Sequence, residues 1–345
     1  MKKWGIVVVC SVLILTGCKD KEETATEEPI VNEVEENEQE VTETLNFITP
    51  LSGEPVSQKM TARPVVVTIN NHPLARPQSG LAEADVIIEL IAESNITRFL
   101  AIYESEMPER VGPIRSARDY FIDLANGYNA FYVAHGYSPD AKAMLDRGDI
   151  DHINGMMYDG TYFHRSSDRK APHNSYSTGP EILDAAEQVG ASMTLSESQM
   201  PTYVFSKEAM SGETVTDLTI SYSGDQNFVT SYSYDTTSSF YTRSSGGIET
   251  TDAESGDALQ LANVVIVEVP HQTIDAEGRQ ALDFAAGGRA WLYRDGTVLE
   301  VTWREDSGML RLYNGTSEVE FAPGQTWMSL IPTARGFDQM VTYSE

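Results

Sequence analysis

Cysteine is nearly missing from this chain: of 345 residues only Cys10 and Cys18 carry a thiol, both within the first eighteen positions. Disulfides, thiol nucleophiles and cysteine metal sites are therefore excluded from the remainder. Basic residues are also scarce. Lysine and arginine number 24 against 52 aspartates and glutamates, for a formal charge of -28. That balance argues against DNA or RNA as a partner, because nonspecific nucleic-acid affinity comes from cations that neutralise phosphates. Long apolar runs are lacking as well. The run at residues 6–15 falls short of the roughly 20 residues that span a bilayer. No HExxH, Gly-x-Ser-x-Gly or P-loop pattern occurs, so the corresponding metalloprotease, hydrolase and nucleotide chemistries have no support. Neither a metal site nor a cofactor is expected.

What is present begins with Lys2 and Lys3, the apolar run, and Leu15-Thr16-Gly17-Cys18. This is the order of a positive n-region, a short h-region and a small-residue cleavage site. Residues 1–17 thus read as a signal peptide and Cys18 as the lipidation site. A diacylglycerol on the thiol and further acyl chains such as palmitate would anchor the mature protein at about 0.8 kcal/mol per buried methylene. The expected location is the extracytoplasmic face of a bacterial cell membrane, within the cell envelope. Residues 18–46 are dense in Glu and Thr. They cannot bury enough apolar surface to offset chain entropy, so a disordered acidic tether is expected.

Residues 47–200 read as an α/β domain. Runs at 65–69, 84–91, 99–103 and 131–134 are rich in Val, Ile and Leu between Pro, Gly and Asn, the signature of strands buried on both faces. Helical patterns at 119–126 and 180–188, and a Ser138-Pro139 start for a third helix, lie around them. Residues 201–345 read as β-rich. Asp295-Gly296 and Asn314-Gly315 separate apolar alternations, a strong hairpin signal. The Ser-, Thr- and Tyr-rich stretch at 222–256 joins the two parts or decorates the second with mobile strands. A domain boundary is expected between about 200 and 240, and the fold class is α+β or α/β.

Polar residues gather where the strands of the first domain end. Five of the six histidines lie between 72 and 173. Ligands in α/β sheets bind in the crevice outside strand ends, so His72, Arg76, Arg98, Arg115, Arg118, His135 and His173 form the candidate binding set. Arginine presents a rigid fork that fits carboxylate or phosphate, and the helix starting at Asp119 would favour an anion beside Arg115 and Arg118. Glu89 and Glu93 are candidates for acid and base, or for ion-pair partners of Arg98 and Arg115.

Several segments also resemble a known family. Arg63-Pro64-Val65 through Asn71-His72, Ala75 through Leu81, Ile96 through Ala101, Gly112 through Arg118 and Ala171-Pro172-His173-Asn174 are similar to signature segments of the YerB-like lipoproteins, called domain of unknown function 3048. Pro323 through Trp327 resembles that family's C-terminal β domain. The resemblance implies a two-domain, lipid-anchored extracytoplasmic protein and no established reaction. Two readings of function stay open. One is a binding module that works through a protein partner at the envelope. The other is a phosphate- or prenyl-pyrophosphate-binding enzyme, since an arginine-bearing strand followed by a Pro-x-Arg turn is loosely similar to the LytR-CpsA-Psr phosphotransferases. That similarity implies Arg98, Arg115 and Arg118 as pyrophosphate ligands.

Overall fold

Runs of branched apolar residues form the central strands in the computed structural model, which describes residues 45–344. The expected signal peptide, Cys18 and the expected tether as far as residue 44 lie outside the described residues. Val65–Asn70, Val86–Glu93 and Ile96–Tyr103 are buried almost throughout. Strand side chains alternate between faces, so Val65, Val67 and Ile69 enter one core while Val66 enters the core on the opposite face.

These strands belong to a 12-stranded mixed sheet. From one edge its order is Ser317–Glu318, Met309–Asn314, Thr297–Asp306, Gly288–Arg294, Asn263–Val269, Thr326–Pro332, Val86–Glu93, Ile96–Tyr103, Val65–Asn70, Phe131–Ala134 and His152–Asn154. Glu213–Thr214 pairs with Thr297–Asp306 as a side branch. The 326–332 strand runs parallel to 263–269 on one side and to 86–93 on the other. The sheet therefore passes from the first half of the sequence to the second without a break, and the described residues fall in one compact unit. The expected division near 200–240 into bodies with separate cores is corrected by this pairing. Val65 and Phe99 share a core with Val264 and Trp327, and Val66 and Tyr120 share the other with Val265 and Trp303.

The fold is mostly β, 42% strand against 15% helix, so α/β alternation is not its organising rule. The cause is local. The two-residue link Ser94-Asn95 returns the chain directly as an antiparallel hairpin, and helical connections feed only 131–134 and 152–154, the strands parallel to 65–70. Helices Asp119–Gly127 and Pro139–Arg147 cover one sheet face and Gly179–Gln188 the other. The 139–147 helix starts as its sequence dictates: the Ser138 side chain accepts from the Ala141 amide, and Pro139 takes the first turn. Among the described residues no helix is long and apolar enough to cross a membrane.

Asp217–Ser221, Val229–Asp235, Phe240–Ser245, Ile248–Glu249 and Val341–Ser344 form a second, five-stranded antiparallel sheet. It lies on the face that also carries the 179–188 helix, where Leu218, Ile220, Tyr232 and Tyr241 meet Ile87, Phe99, Ile266 and Trp327. The stretch at 222–256 is thus a built part of the fold.

The two halves also touch at backbone level on the opposite face. Gly127, at the end of its helix, abuts Gly308, and a Cβ at 127 would stand 1.9 Å from the Gly308 carbonyl oxygen. Gly127→Ala is expected to destabilise by roughly 1–3 kcal/mol, although alanine ordinarily favours a helix over glycine by about 1 kcal/mol. A urea midpoint equal to or above that of the parent protein would contradict the close approach.

Candidate functional site

Strands 65–70 and 131–134 are parallel, so both end at the same sheet edge, and polar residues follow each: Asn71-His72 after the first and His135-Gly136 after the second. The 112–118 segment crosses this edge. Its Arg115 amide donates to the Thr68 carbonyl at 2.9 Å, and its Arg115 carbonyl accepts from the His135 amide at 2.9 Å. A third loop, 166–174, is carried by the paired His164–Arg165 and Ser175–Tyr176. Each loop near the site has a cis prolyl bond, at Arg76-Pro77, Gly112-Pro113 and Ala171-Pro172.

Two of the candidate arginines share one carboxylate as ion-pair partner, which leaves the trio a net charge of +1. Arg98 is 2% exposed and donates to Glu93 Oε1 at 2.9 Å and to the Ser116 carbonyl at 2.8 Å. Arg118 donates to Glu93 Oε2 at 3.0 Å. Burial, with the charge of Arg118, pulls the Arg98 pKa down to about 9. Glu93 is therefore committed to ion pairing on both oxygens.

Glu89 does not pair with Arg98 or Arg115. Its Oε1 accepts from Asn71 at 3.1 Å and Thr97 at 2.8 Å, and its Oε2 accepts from Arg243 at 2.8 Å and Trp327 Nε1 at 3.2 Å. At 1% exposure and with four donors, it has no access to a substrate, which corrects its candidacy as acid or base. Arg76 faces the other sheet, although its charge also lowers the His72 pKa. It donates to the side-chain and backbone oxygens of Asn71, each at 3.0 Å, and to the Asn227 carbonyl at 3.1 Å. Its charged neighbours are Arg243 and Glu89, whereas Arg98, Arg115 and Arg118 act on one another.

Arg115 has a different status. It is half-buried, forms no ion pair among the described residues, and holds its Nε buried without a hydrogen-bond partner. Burial pushes His72, His135 and His173 below the ordinary histidine value, and the charge of Arg115 adds to the shift in each. His72 and His173 stack with ring centroids 4.6 Å apart. His72 Nδ1 accepts from the Leu74 amide at 3.1 Å, and His173 Nδ1 lies 2.8 Å from Asn70 Nδ2. Each neutral ring then carries its proton on Nε2, as a donor.

His135 is a supporting residue. It bonds Ser175 Oγ through Nδ1 and Arg165 through Nε2, both at 2.8 Å, and Arg165 in turn pairs with Asp159. Gly155 makes room for it, since a Cβ there would fall 2.1 Å from His135 Nδ1. One member of the site escaped the sequence reading. Arg169 donates through Nη2 to the Pro77 carbonyl, keeps Nη1 buried without a partner, and contributes its charge at His173. Its adjacency to Lys170, just before Ala171-Pro172-His173-Asn174, was the available signal.

Residues 51–192 match the family described as protein of unknown function (DUF3048), N-terminal domain, and residues 218–328 match its C-terminal domain. The chain is 40% identical over 338 residues to "Putative lipoprotein YerB" of Bacillus subtilis (strain 168), with 96% of each chain covered. It is also similar to the crystal structure of the YerB protein from Bacillus subtilis, with a TM-score of 0.80 and 40% identity, over 87% of this chain and 100% of that one.

Proposed function

Since the chain belongs to the DUF3048 family, whose description names no reaction, we propose from the site itself that this is a lipid-anchored binding protein of the cell envelope. Its ligand is a phosphate group carried on an apolar body, such as a prenyl phosphate. Arg115 carries the reading. A chain of formal charge -28 keeps this guanidinium half-buried with no ion pair of its own among the described residues, under the charge of a Glu93 already shared by Arg98 and Arg118. Its charge reaches His72 and His173, the latter together with that of Arg169. A phosphate has the oxygens to engage such a set, and charge-assisted hydrogen bonds to it are strong. Leu74 and Met156–Met157, at 68%, 60% and 76% exposure, adjoin His72 and the His135 support in sequence and offer apolar contact to a tail. Anchoring through Cys18 agrees with the Leu15-Thr16-Gly17-Cys18 cleavage site and with the name of the 40% identical relative. Binding is favoured over catalysis because Glu93 is saturated by two arginines and Glu89 is sealed in the core.

Arg115→Ala is expected to weaken binding of farnesyl pyrophosphate by about 10- to 150-fold, the loss of 1.5–3 kcal/mol that a charged hydrogen bond contributes. Its melting temperature should stay close to that of the parent, since no native partner is stranded. Arg98→Ala should instead lower the melting temperature by removing one side of the Glu93 pair. Calorimetric titration with a thermal melt of each variant separates the two. Unchanged affinity in Arg115→Ala, or a melting loss as large as that of Arg98→Ala, would refute the assignment.

A further inference from the structure

A cavity of about 220 Å³ lies between the 71–78 loop and the 243–251 turn of the five-stranded sheet. We infer that it binds a small carboxylate with a short apolar tail, through Arg76, Ser245 and Arg243. This site adjoins the Arg115 cluster through His72 and the Pro77–Arg169 bond, but Arg115, His72, Arg169 and His173 are not in its lining, and it does not rest on that reading.

Three observations carry the inference. Arg76, which lines the cavity, is bonded only to neutral oxygens of Asn71 and Asn227, so its charge has no counter-ion among the described residues. Ser245 lines the same cavity at 4% exposure, and its Oγ has no hydrogen-bond partner. Arg243 lines it at 2% exposure, and its Nε is likewise unpartnered. Native structures rarely leave buried donors unsatisfied, and a carboxylate in this cavity would supply acceptors to all three residues.

Charge and size narrow the ligand. The Arg243 charge is already matched by Glu89 at 2.8 Å, which leaves one net positive charge, from Arg76. The carboxylate of Glu249 also lines the cavity but is exposed, where solvent screens it. The buried part of the cavity therefore carries the charge of Arg76 alone, which matches a monoanion better than a phosphate dianion. Pro73, Pro77 and Ile248 supply the apolar lining. The volume equals roughly seven water molecules at about 30 Å³ each, enough for an acid with a four- or five-carbon tail. Such an acid is met either as a free small molecule or as the C-terminal residue of a peptide.

The test uses the mature chain with N-acetylleucine, N-acetylleucinamide and a tripeptide ending in leucine, followed by methyl chemical-shift changes at Ile248 and Thr251. The acid is expected to bind and to shift those methyls, while the amide binds at least tenfold more weakly. Arg76→Met and Ser245→Ala should each weaken the acid, Arg76→Met by tenfold or more, and Arg115→Ala should leave it unchanged. If the tripeptide binds more tightly than the free acid, the natural carboxylate is a chain terminus; if more weakly, it is a free acid. No shift with either carboxylate, equal binding of acid and amide, or shifts confined to the 112–118 loop would overturn the inference. The acid-to-amide comparison on the parent protein decides the matter even where a variant fails to fold.

Discussion

Arg243→Met is expected to lower the stability of the protein by about 3–5 kcal/mol, the usual cost of breaking a buried ion pair by removing one partner. Arg243 comes from the five-stranded sheet and reaches Glu89 of the central sheet, 154 residues away in sequence, with both side chains 1% exposed. Its guanidinium lies 4.2 Å from the Trp327 ring centre and 5.4 Å from that of Phe99, where a desolvated cation gains up to about 2 kcal/mol from each face. Thr250 and Thr230 accept two further hydrogen bonds from its terminal nitrogens, at 2.8 and 3.3 Å, while its Nε has no partner. Methionine keeps much of the side-chain volume but leaves the Glu89 carboxylate charged in a dry core. The paired change Glu89→Met with Arg243→Met should recover much of the loss, since apolar replacement of a whole buried pair is often close to neutral. Urea unfolding of the two single variants and the double variant measures this. A single variant within about 1 kcal/mol of the parent, or a double variant as unstable as the two losses added, would show that the pair is not the link between the sheets.

The contribution of Glu104 to stability should fall as pH rises. Its side chain is 5% exposed, one oxygen has no partner, and the other accepts only from the Leu51 amide at 3.4 Å. Burial, with the nearby charge of Asp85, pushes its pKa up to about 8 from an ordinary 4.5. The folded protein thus holds this proton more tightly than the unfolded chain does. The resulting stability is fully present below pH 4.5 and is lost as pH rises through 8. At 1.36 kcal/mol per unit the loss across that window is on the order of 3–5 kcal/mol. Glu104→Gln keeps a neutral, hydrogen-bonding side chain, so it should remove this slope and stabilise the protein at pH 8–9. Parallel pH profiles for parent and variant would contradict the assignment.

Local features of the sequence were legible where chain-near physics decides them. The strands at 65–70 and 131–134, the Ser138 cap and the Asp295-Gly296 turn, with φ of 55° and 69°, follow from apolar runs and turn chemistry. Long-range pairing was not legible. Nothing near Trp327 tells that its strand inserts beside 86–93, some 240 residues earlier, and that insertion is what merges the expected domains. The 222–256 stretch misled for another reason. Its inward positions include Thr230, Tyr232, Tyr241 and Arg243, polar or amphipathic types that also suit an exposed linker. In the candidate site the sequence pointed to loops that the fold brings together, because strand ends collect polar residues. It could not tell which arginines were ion-paired: Glu93 is shared by Arg98 and Arg118, while Glu89 is claimed by a residue of the other sheet.

The most direct measurement of the proposed anion site is a histidine NMR titration of His72 and His173, with and without inorganic pyrophosphate. In the free protein both rings should titrate below the ordinary value of 6.5. A bound anion offsets the charges of Arg115 and Arg169 and accepts from the Nε2 protons, so both apparent pKa values should rise and affinity should tighten as pH falls from 7.5 to 5.5. Arg115→Ala should abolish the pyrophosphate-dependent rise. Unchanged His72 and His173 resonances at saturating pyrophosphate would contradict the site.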